Sequence, residues 1–333
     1  MTEHTIFWDG AFIPADSRMI ESLSPGHLKA RGVFETMRAD SGKIVLLNQH
    51  LLRLKKGLEI LKIKSPYSNQ ELRGYINTLL SPLVSLRATE GSEAILFSKE
   101  KIASSRPARH LHDLAGGLSV APRNDTTKNT RVRLTIWQDH KKTHASIVIL
   151  PYEPFSRRKY EEGFKAVISP IRSHRSSRWS WVKSLDCLFL WQAYAEAKSK
   201  GYDEALILNA KGYLAEASRS NIFFVVKAEL WTPALACGCL RGITRKVVIT
   251  IARRMGMKVR TIPIKPEALG YAQEAFLTNS LLEIMPLTSV NGRRIGSGWA
   301  GPVTLQILRR YRGLVENRQS YPAARRPRTS PAR

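Results

Sequence analysis

The stretch that most constrains the fold of this chain runs from residue 181 to 224 and reads WVKSLDCLFLWQAYAEAKSKGYDEALILNAKGYLAEASRSNIFF. A helix that ends at Gly201 is predicted in its first half, because apolar side chains recur at helical spacing: Leu185, Leu188, Phe189 and Ala193. Glu204–Leu208 predicts a buried strand, residues 210–212 a tight turn, and Asn221–Val226 a second strand. The stretch therefore predicts a helix followed by two buried strands.

Lys183 stands directly before this helical pattern. A lysine beside an apolar run is a candidate for a desolvated amine, whose pKa falls and which can form a Schiff base with a carbonyl group. Most lysines, however, are solvated surface residues. Position alone therefore leaves both interpretations of Lys183 open.

The segments VKSLDCL and GYDEALILNAKGYLAEASRSNIF together resemble the signature of the fold-type IV pyridoxal-phosphate enzymes. That family contains the branched-chain and D-amino-acid aminotransferases and the aminodeoxychorismate lyases. The resemblance implies that Lys183 carries pyridoxal 5′-phosphate as a Schiff base and also acts as general base and acid. It further implies that Glu216 faces the pyridine nitrogen, where a carboxylate keeps the ring protonated and able to accept electrons.

A second segment, ARGVFETMRADSGKIVLLNQHLLRL from residue 30 to 54, resembles the N-terminal motif of the same family. The resemblance implies that Arg53 binds the cofactor phosphate, a role that suits the fork of donors on a guanidinium. The alternative for Arg53 is an exposed helix arginine. Arg31 replaces the acidic residue that usually precedes the glycine of this motif, so the substrate wall differs here from the family pattern.

The segment GITRKVVITIARRMG begins a predicted helix whose apolar stripe ends at Gly256. The backbone N–H groups of Ile243 and Thr244 lie at its N-terminus, where free donors and the helix dipole favour a phosphate. The resemblance implies the same contact.

The segment LTNSLLEIMPL carries the remaining cofactor and substrate candidates. Ser280 matches the family's hydroxyl residue that contacts the phosphate. Thr278 and Asn279 are weaker candidates for lining the substrate side.

A substrate-carboxylate arginine is expected from the resemblance somewhere between Glu93 and Pro151. Strands are predicted in this region at Ala94–Ser98, Val132–Trp137 and Ser146–Leu150, with an exposed loop over residues 123–131. Three arginines are conceivable there, and the sequence does not choose among them: Arg106, Arg131 and Arg133.

Two local motifs favour the lyase branch of the family. LTNSLLEIMPL and KSLDCL resemble the lyase forms more than the aminotransferase forms, although Asp186 replaces the lyase asparagine. We therefore expect a 4-amino-4-deoxychorismate lyase that releases 4-aminobenzoate and pyruvate in folate synthesis. The alternative is an aminotransferase of branched-chain or D-amino acids.

The net charge of +26, from 53 Lys and Arg against 27 Asp and Glu, raises an alternative of another class. Such a balance is typical of proteins that neutralise nucleic-acid phosphates, and it also favours anionic substrates. No nucleic-acid-binding motif accompanies the charge, which is spread along the chain. A basic nucleic-acid-associated protein on the same fold is therefore the minority hypothesis.

The order of the predicted elements indicates an α+β fold, with hairpins preceding helices in the N-terminal part. Hairpins are predicted at residues 5–13 and 32–47, a loop at 14–27, a helix capped by Asn48, and a second helix with a capping box of Ser68 and Glu71. The resemblance implies a two-domain, homodimeric enzyme. Its parts are a small α+β N-terminal domain (1–150), a linker (151–158), a larger pseudo-barrel domain that binds the cofactor (159–317) and a disordered basic tail (318–333).

The cysteines and the apolar runs bear on compartment and metal binding. Three cysteines suit a reducing compartment, and Cys237 and Cys239 lack companions at metal-ligand spacing, so no metal site is expected. No leader-like segment or membrane-length apolar run is present, which predicts a cytoplasmic protein without a membrane partner.

Overall fold

The structure of the protein, a computed structural model, describes residues 4–23, 31–81, 129–140, 142–175 and 177–316. Helices pack on two β-sheets, one built mainly from the N-terminal part of the chain and the other from the C-terminal part. This is the expected two-domain α+β architecture. The placement of the domain boundaries and of the linker stays a prediction.

The N-terminal sheet has the strand order β2-β1-β6-β5-β3-β4. Its strands are β1 (His4–Trp8), β2 (Ala11–Ala15), β3 (Arg31–Asp40), β4 (Lys43–Ile44), β5 (Asn129–Asp139) and β6 (Lys142–Pro151). All of its pairings are antiparallel, and both predicted hairpins are confirmed. The loop predicted at 14–27 is partly wrong, because β2 continues to Ala15 and a short helix, α1 (Ser17–Ser22), is capped by the Asp16 side chain.

Two helices, α2 (Leu47–Leu61) and α3 (Asn69–Leu80), cover one face of this sheet. The predicted capping box of Ser68 and Glu71 is confirmed at the start of α3. The predicted cap of α2 by Asn48 is wrong, since the N-cap residue is Leu46, two residues earlier, and it makes no side-chain cap hydrogen bond. Asn48 instead accepts a hydrogen bond from Arg73 of α3 at 2.5 Å.

The C-terminal sheet has the strand order β12-β11-β10-β13-β14-β7-β8-β9, with β15 paired to β14. Its strands are β7 (Phe164–Ser173), β8 (Glu204–Asn209), β9 (Leu214–Ala217), β10 (Asn221–Val226), β11 (Glu229–Pro233), β12 (Val259–Ile262), β13 (Glu274–Asn279), β14 (Glu283–Val290) and β15 (Arg293–Arg294). The pairings are mixed, with β7 parallel to both β8 and β14. This sheet forms the wall of the pseudo-barrel domain.

The helices of this part are α4 (Arg157–Glu162), α5 (Leu188–Ser199), α6 (Ile243–Arg254) and α7 (Pro302–Glu316), with 3-10 turns at Ser177–Trp181, Leu235–Cys237 and Pro266–Gly270. The helix and both strands predicted within residues 181–224 are confirmed. The helix begins only at Leu188, so Lys183 and Leu185 precede it in the irregular segment between the 3-10 turn and the helix.

The backbone around Lys183 joins the two sheets. Phe34 N–H of β3 donates to the Lys183 carbonyl at 2.9 Å, and Leu185 N–H donates to the Gly32 carbonyl at 3.0 Å. Val182, directly before the lysine, is buried in the core under the N-terminal sheet. The lysine segment is thereby fixed to the edge of β3, with its side chain between the two parts of the molecule.

Some predicted features fall outside the described residues: the strand Ala94–Ser98, Arg106, most of the loop at 123–131, and the basic tail 318–333. The end of that loop is described, and it already belongs to β5 from Asn129 onward. Among the described helices, none combines the length and apolar character that a membrane crossing requires. Nor do the described His, Cys, Asp and Glu side chains form a group that could hold a metal ion.

Candidate active site

A pocket of about 480 Å³ opens between the two sheets. Its walls come from β3 and β5 on one side and from β9, β13 and the start of α6 on the other. All of the site residues predicted from the sequence line it: Lys183, Glu216, Arg53, Ile243, Thr244, Ser280, Thr278 and Asn279. The fold therefore brings together residues that lie up to 227 positions apart along the chain.

The Lys183 ammonium group lies 4.5 Å from the ring centroid of Phe34. Burial lowers the pKa of Lys183, and the positive charge of Arg53 lowers it further. A lysine with a lowered pKa has a larger fraction of neutral amine, which is the form that attacks a carbonyl. The structure thus gives Lys183 the environment of a reactive amine and not that of a solvated surface lysine.

Glu216 lies on β9 with its side chain almost fully buried. Burial raises its pKa, while Arg175, whose Nη1 lies 4.0 Å from Oε1, acts in the opposite direction. The Leu240 N–H donates to Oε2 at 2.9 Å and fixes the carboxylate in place. Arg175 is held in turn by its own hydrogen bond to the Asp186 carbonyl, at 2.9 Å.

The N-terminus of α6 points its free amides into the pocket, with Gly242 as the N-cap residue. Asn221 of β10 donates to the Leu240 carbonyl at 2.9 Å and holds the turn that leads into the helix. A Cβ on Gly242 would clash with the Asn221 side-chain oxygen. Only glycine fits this turn as it stands, which leaves the Ile243 and Thr244 amides open to a ligand.

Arg53 projects from α2 and is buried beside Glu35 of β3. It donates to both carboxylate oxygens, Nε to Oε1 at 2.8 Å and Nη2 to Oε2 at 2.6 Å, and a third bond runs from Nη1 to the Arg241 carbonyl at 3.2 Å. Because a guanidinium has five N–H donors, two remain for a ligand. Burial alone would raise the pKa of Glu35, but Arg53 and His50 lower it to about 2.

His50 connects this ion pair to Ser280. Its Nδ1 lies 2.7 Å from Glu35 Oε2 and its Nε2 lies 3.4 Å from Ser280 Oγ. Burial lowers the pKa of His50, which favours the neutral ring. A neutral ring that donates from Nδ1 to the carboxylate accepts at Nε2, so that it orients the Ser280 hydroxyl.

Thr278 and Asn279, the two weaker candidates for lining the substrate side, differ in whether their side chains already make hydrogen bonds within the protein. The Asn279 amide is occupied, because its oxygen accepts from the N–H groups of Leu281 and Leu282 and its nitrogen donates to the Arg219 carbonyl at 3.0 Å. Within the described residues, the buried Thr278 hydroxyl has no hydrogen-bond partner. Thr278 is therefore the better placed of the two to meet a ligand.

Two of the three candidate arginines for a substrate carboxylate, Arg131 and Arg133, line the pocket from β5. The third, Arg106, lies outside the described residues. Burial lowers the pKa of Arg131, and burial together with the charge of Arg131 lowers the pKa of Arg133 to about 10. Cations with pKa values lowered in this way are typical of anion sites.

The side chains of the pocket fit pyridoxal 5′-phosphate. The N-terminus of α6, Arg53 and Ser280 all line the pocket, where they could hold the phosphate. The amine of Lys183 and the carboxylate of Glu216 occupy the same cavity, as an aldehyde and a ring nitrogen require.

Several residues on which this geometry depends could not be found from the sequence: Glu35, His50, Arg175 and Asn221. Glu35 and His50 were within the motif that indicated Arg53, but no rule of spacing tells which strand residue pairs with which helix residue. Asn221 was assigned only to its strand. Its role at the turn before α6 depends on a contact across 21 residues.

A family model described as amino-transferase class IV matches residues 32–88 and 107–290. Among similar proteins, a putative branched-chain-amino-acid aminotransferase of Methanocaldococcus jannaschii is 27% identical over 310 residues, 93% of this chain and 96% of that protein. The branched-chain-amino-acid aminotransferase of Pseudomonas aeruginosa is 40% identical over 126 residues, 38% of this chain and 41% of that protein.

Solved structures agree with this likeness. A T.th. branched-chain amino acid aminotransferase with pyridoxamine 5′-phosphate matches with a TM-score of 0.74 at 22% identity, covering 96% of each chain. The branched-chain aminotransferase of Thermoproteus uzoniensis with norvaline matches with a TM-score of 0.71 at 25% identity, covering 96% of this chain and 97% of that one. Since the family model matches more than half of its length, the chain belongs to the class IV aminotransferases, a family of pyridoxal-phosphate-dependent enzymes.

Proposed function

We propose that this protein is an amino-acid aminotransferase in which Lys183 holds the cofactor and moves protons to and from the substrate. The observation that carries the proposal is the convergence of Lys183, Glu216 and the α6 N-terminus on one pocket, in a chain similar to proteins named as branched-chain-amino-acid aminotransferases. When bound, the cofactor supplies an electron sink for bonds broken at the α-carbon.

Each side chain has a separate task in this proposal. Glu216 keeps a proton at the ring nitrogen, because its carboxylate is the one negative charge that lines the described pocket. Arg53, the α6 amides and Ser280 orient the phosphate. The lowered pKa of Lys183 increases the fraction of neutral amine, which is the form that can accept a proton from the substrate.

The lyase hypothesis is the second candidate, and the motifs around Asn279 and after Lys183 support it. Both reactions use the same cofactor and the same lysine, so those residues do not separate them. The names of the similar proteins favour the aminotransferase.

The test is to incubate the cofactor-loaded protein with an amino acid and a keto-acid acceptor and to measure the new keto acid and the new amino acid. In parallel, aminodeoxychorismate is supplied without an acceptor and 4-aminobenzoate is measured. Amino-group transfer that requires the acceptor and is lost in Lys183→Ala supports the proposal. Production of 4-aminobenzoate without any transfer would replace it with the lyase.

We also expect a homodimer. Two large apolar side chains of α5, Leu188 and Trp191, are 66% and 52% exposed, and Trp191 lines the pocket. Apolar surface beside a polar pocket is typical of a face that a second copy covers. Analytical ultracentrifugation measures the mass directly, and a monomer at all concentrations would contradict this expectation.

A further inference from the structure

Arg219 lies on the pocket wall, in the turn that joins β9 to β10. The backbone of this turn is held on both sides. Asn279 donates to the Arg219 carbonyl at 3.0 Å, and the Ser218 N–H donates to the Ala205 carbonyl at 2.8 Å. The Arg219 side chain therefore starts from a fixed point on the wall of the cavity.

The charge of Arg219 is compensated by Glu204, a fully buried carboxylate of β8. Arg219 Nε lies 3.8 Å from Glu204 Oε2, and the same carboxylate accepts hydrogen bonds from the hydroxyls of Ser218 and Ser220. Burial raises the pKa of Glu204, while the charge of Arg219 and these hydrogen bonds act in the opposite direction. Arg219 thus has an anionic partner within the protein and does not require a second one from a substrate.

One face of the Arg219 guanidinium lies on the Tyr194 ring of α5, with Cζ 3.6 Å from the ring centroid. Both side chains line the pocket. The Arg219 side chain is 46% exposed, although Tyr194 covers one face and Glu204 lies beside Nε. The exposed part is therefore the opposite face and the outer edge of the guanidinium, which offer a flat surface to a molecule in the pocket.

The face of a guanidinium attracts the face of an aromatic ring, because the negative π-cloud meets a weakly hydrated cation. An aliphatic side chain placed there would gain packing contacts without this electrostatic attraction. Further aromatic side chains line the same pocket: Phe34, Tyr152, Phe155 and Trp191. The chemistry of the wall therefore favours a planar, aromatic ligand.

We propose that Arg219, stacked on Tyr194 and paired with Glu204, is a specificity-determining residue that binds the face of an aromatic substrate side chain. The inference rests on the proposed function and narrows its substrate class to amino acids with an aromatic side chain, such as phenylalanine. A branched aliphatic side chain, as in leucine, makes no electrostatic use of the guanidinium face.

The first test measures binding without turnover, by isothermal titration of the holoenzyme with 3-phenylpropionate and with 3-cyclohexylpropionate. The two ligands share the carboxylate and the number of ring carbons, and only the first has a π-face. We expect 3-phenylpropionate to bind more tightly by at least about threefold. Arg219→Lys keeps a charge beside Glu204 but removes the planar guanidinium, so it should abolish most of this preference.

Two further variants complete the binding test. Tyr194→Leu removes the ring that supports the guanidinium and should also reduce the preference for 3-phenylpropionate. Arg254→Lys, at the exposed far end of α6, should leave the ratio of the two dissociation constants unchanged. Circular dichroism shows whether each variant is folded.

The second test compares amino donors on the holoenzyme with one fixed keto-acid acceptor. We expect kcat/KM for phenylalanine to exceed that for 3-cyclohexylalanine by at least about threefold, since the stacking contact is available only to the aromatic ring. In Arg219→Lys the two values should become similar.

The outcomes distinguish the inference from the function on which it rests. If amino-group transfer occurs but the cyclohexyl compounds are bound and used as well as the phenyl compounds, the inference is overturned while the aminotransferase stands. A preference for the phenyl compounds that is as large in Arg219→Lys as in the wild type also overturns it. If 3-phenylpropionate is preferred but no donor reacts, the aminotransferase proposal fails and the aromatic site remains.

Discussion

Two side chains of the pocket, Lys183 and Glu216, have pKa values displaced in opposite directions by the same main cause. Burial disfavours the charged form of each, so the pKa of the lysine is lowered and that of the glutamate is raised. Arg53 adds to the effect on Lys183, whereas Arg175 opposes the effect on Glu216. Arg53 thus favours the neutral amine of Lys183 and Arg175 favours the charged carboxylate of Glu216, the forms that suit an aldehyde and a protonated pyridine ring.

Replacing Glu216 with glutamine tests the role of that carboxylate. The amide has nearly the same shape but carries no charge to hold the ring proton, so we expect kcat to fall about 10²–10³-fold. Visible absorbance of bound cofactor should persist, because the phosphate contacts remain. Steady-state kinetics at saturating cofactor provide the measurement, with Glu267→Gln, at an exposed position, as control. Undiminished turnover in Glu216→Gln would exclude the assigned role.

From the lowered pKa of the Glu35 carboxyl group we predict that the free energy of unfolding falls at acid pH. Its folded-state pKa of about 2 lies below the ordinary value of 4.5, so its stabilising effect is complete above pH 4.5 and is lost as pH falls toward 2. We expect the free energy of unfolding to decrease by about 3 kcal/mol across that range because of this group. Urea denaturation at several pH values measures the decrease.

The comparison variant for this experiment is Glu35→Gln, whose acid dependence between pH 4.5 and 2 should be smaller by the contribution of this group, about 3 kcal/mol. Glu267→Gln removes an exposed carboxylate and should retain the wild-type dependence. An unaltered acid dependence in Glu35→Gln would show that the Arg53–Glu35 pair does not stabilise the fold.

The sequence indicated some residues of the site and could not indicate others. Lys183, Glu216 and Ser280 stand within ordered motifs, so resemblance placed them, and their roles stay predictions. Arg131 could not be chosen over Arg106 or Arg133, because the face of a strand that meets a cavity depends on register with β3, which sequence does not give.

At the scale of elements, α6 matters most for the site because its first turn faces the pocket. Its N-cap residue, Gly242, makes no side-chain cap hydrogen bond, so the free amides are left to a ligand. The turn before it is held by Asn221 from β10. We propose that strand, turn and helix together form one anion-binding unit.

Gly242→Ala tests this unit. The added Cβ would clash with the Asn221 side-chain oxygen and displace the turn, so we expect cofactor affinity to fall by at least about tenfold. The control is Gly74→Ala in α3, where a Cβ meets nothing within 4 Å and should raise stability by about 0.5–1 kcal/mol. Fluorescence titration with pyridoxal phosphate gives the affinity. Equal affinity in both variants would contradict the assignment of the phosphate site to α6.

The elements that the sequence predicted well have local determinants. The Asp9-Gly10 turn and the Ser68–Glu71 capping box depend on residues within a few positions of each other. The cap assigned to Asn48 was wrong because a contact with Arg73, 25 residues away, uses its side chain. Strand β9 was not predicted, since four buried residues show no alternation to recognise.

At the scale of the whole molecule, Glu283 ties three parts together. Its carboxylate accepts a hydrogen bond from Arg38 of the N-terminal sheet at 2.5 Å and another from Arg312 of α7 at 2.8 Å. Burial would lower the pKa of Arg38, but the Glu283 carboxylate raises it. The cluster joins the two parts of the molecule beside the pocket, where the Tyr152 hydroxyl donates to the Leu281 carbonyl.

Glu283→Gln should lower the free energy of unfolding by about 2 kcal/mol, because it removes the nearest anion of the half-buried Arg38 and leaves only Asp40, at 4.0 Å. The matched control is Glu59→Gln, whose ion pair with Lys56 is exposed to solvent and should contribute far less to the free energy of unfolding. Urea denaturation of both variants at neutral pH measures the difference. Similarly small decreases in the free energy of unfolding for the two variants would show that the Glu283 cluster does not hold the two sheets together.

The most direct test of the proposed enzyme is to locate the cofactor chemically. The holoenzyme is reduced with borohydride, digested, and searched by mass spectrometry for the lysine that carries a phosphopyridoxyl group. We predict that group on Lys183, with no labelled peptide and no visible absorbance in Lys183→Ala. Labelling of another lysine, or of none in an active holoenzyme, would contradict the role assigned to Lys183.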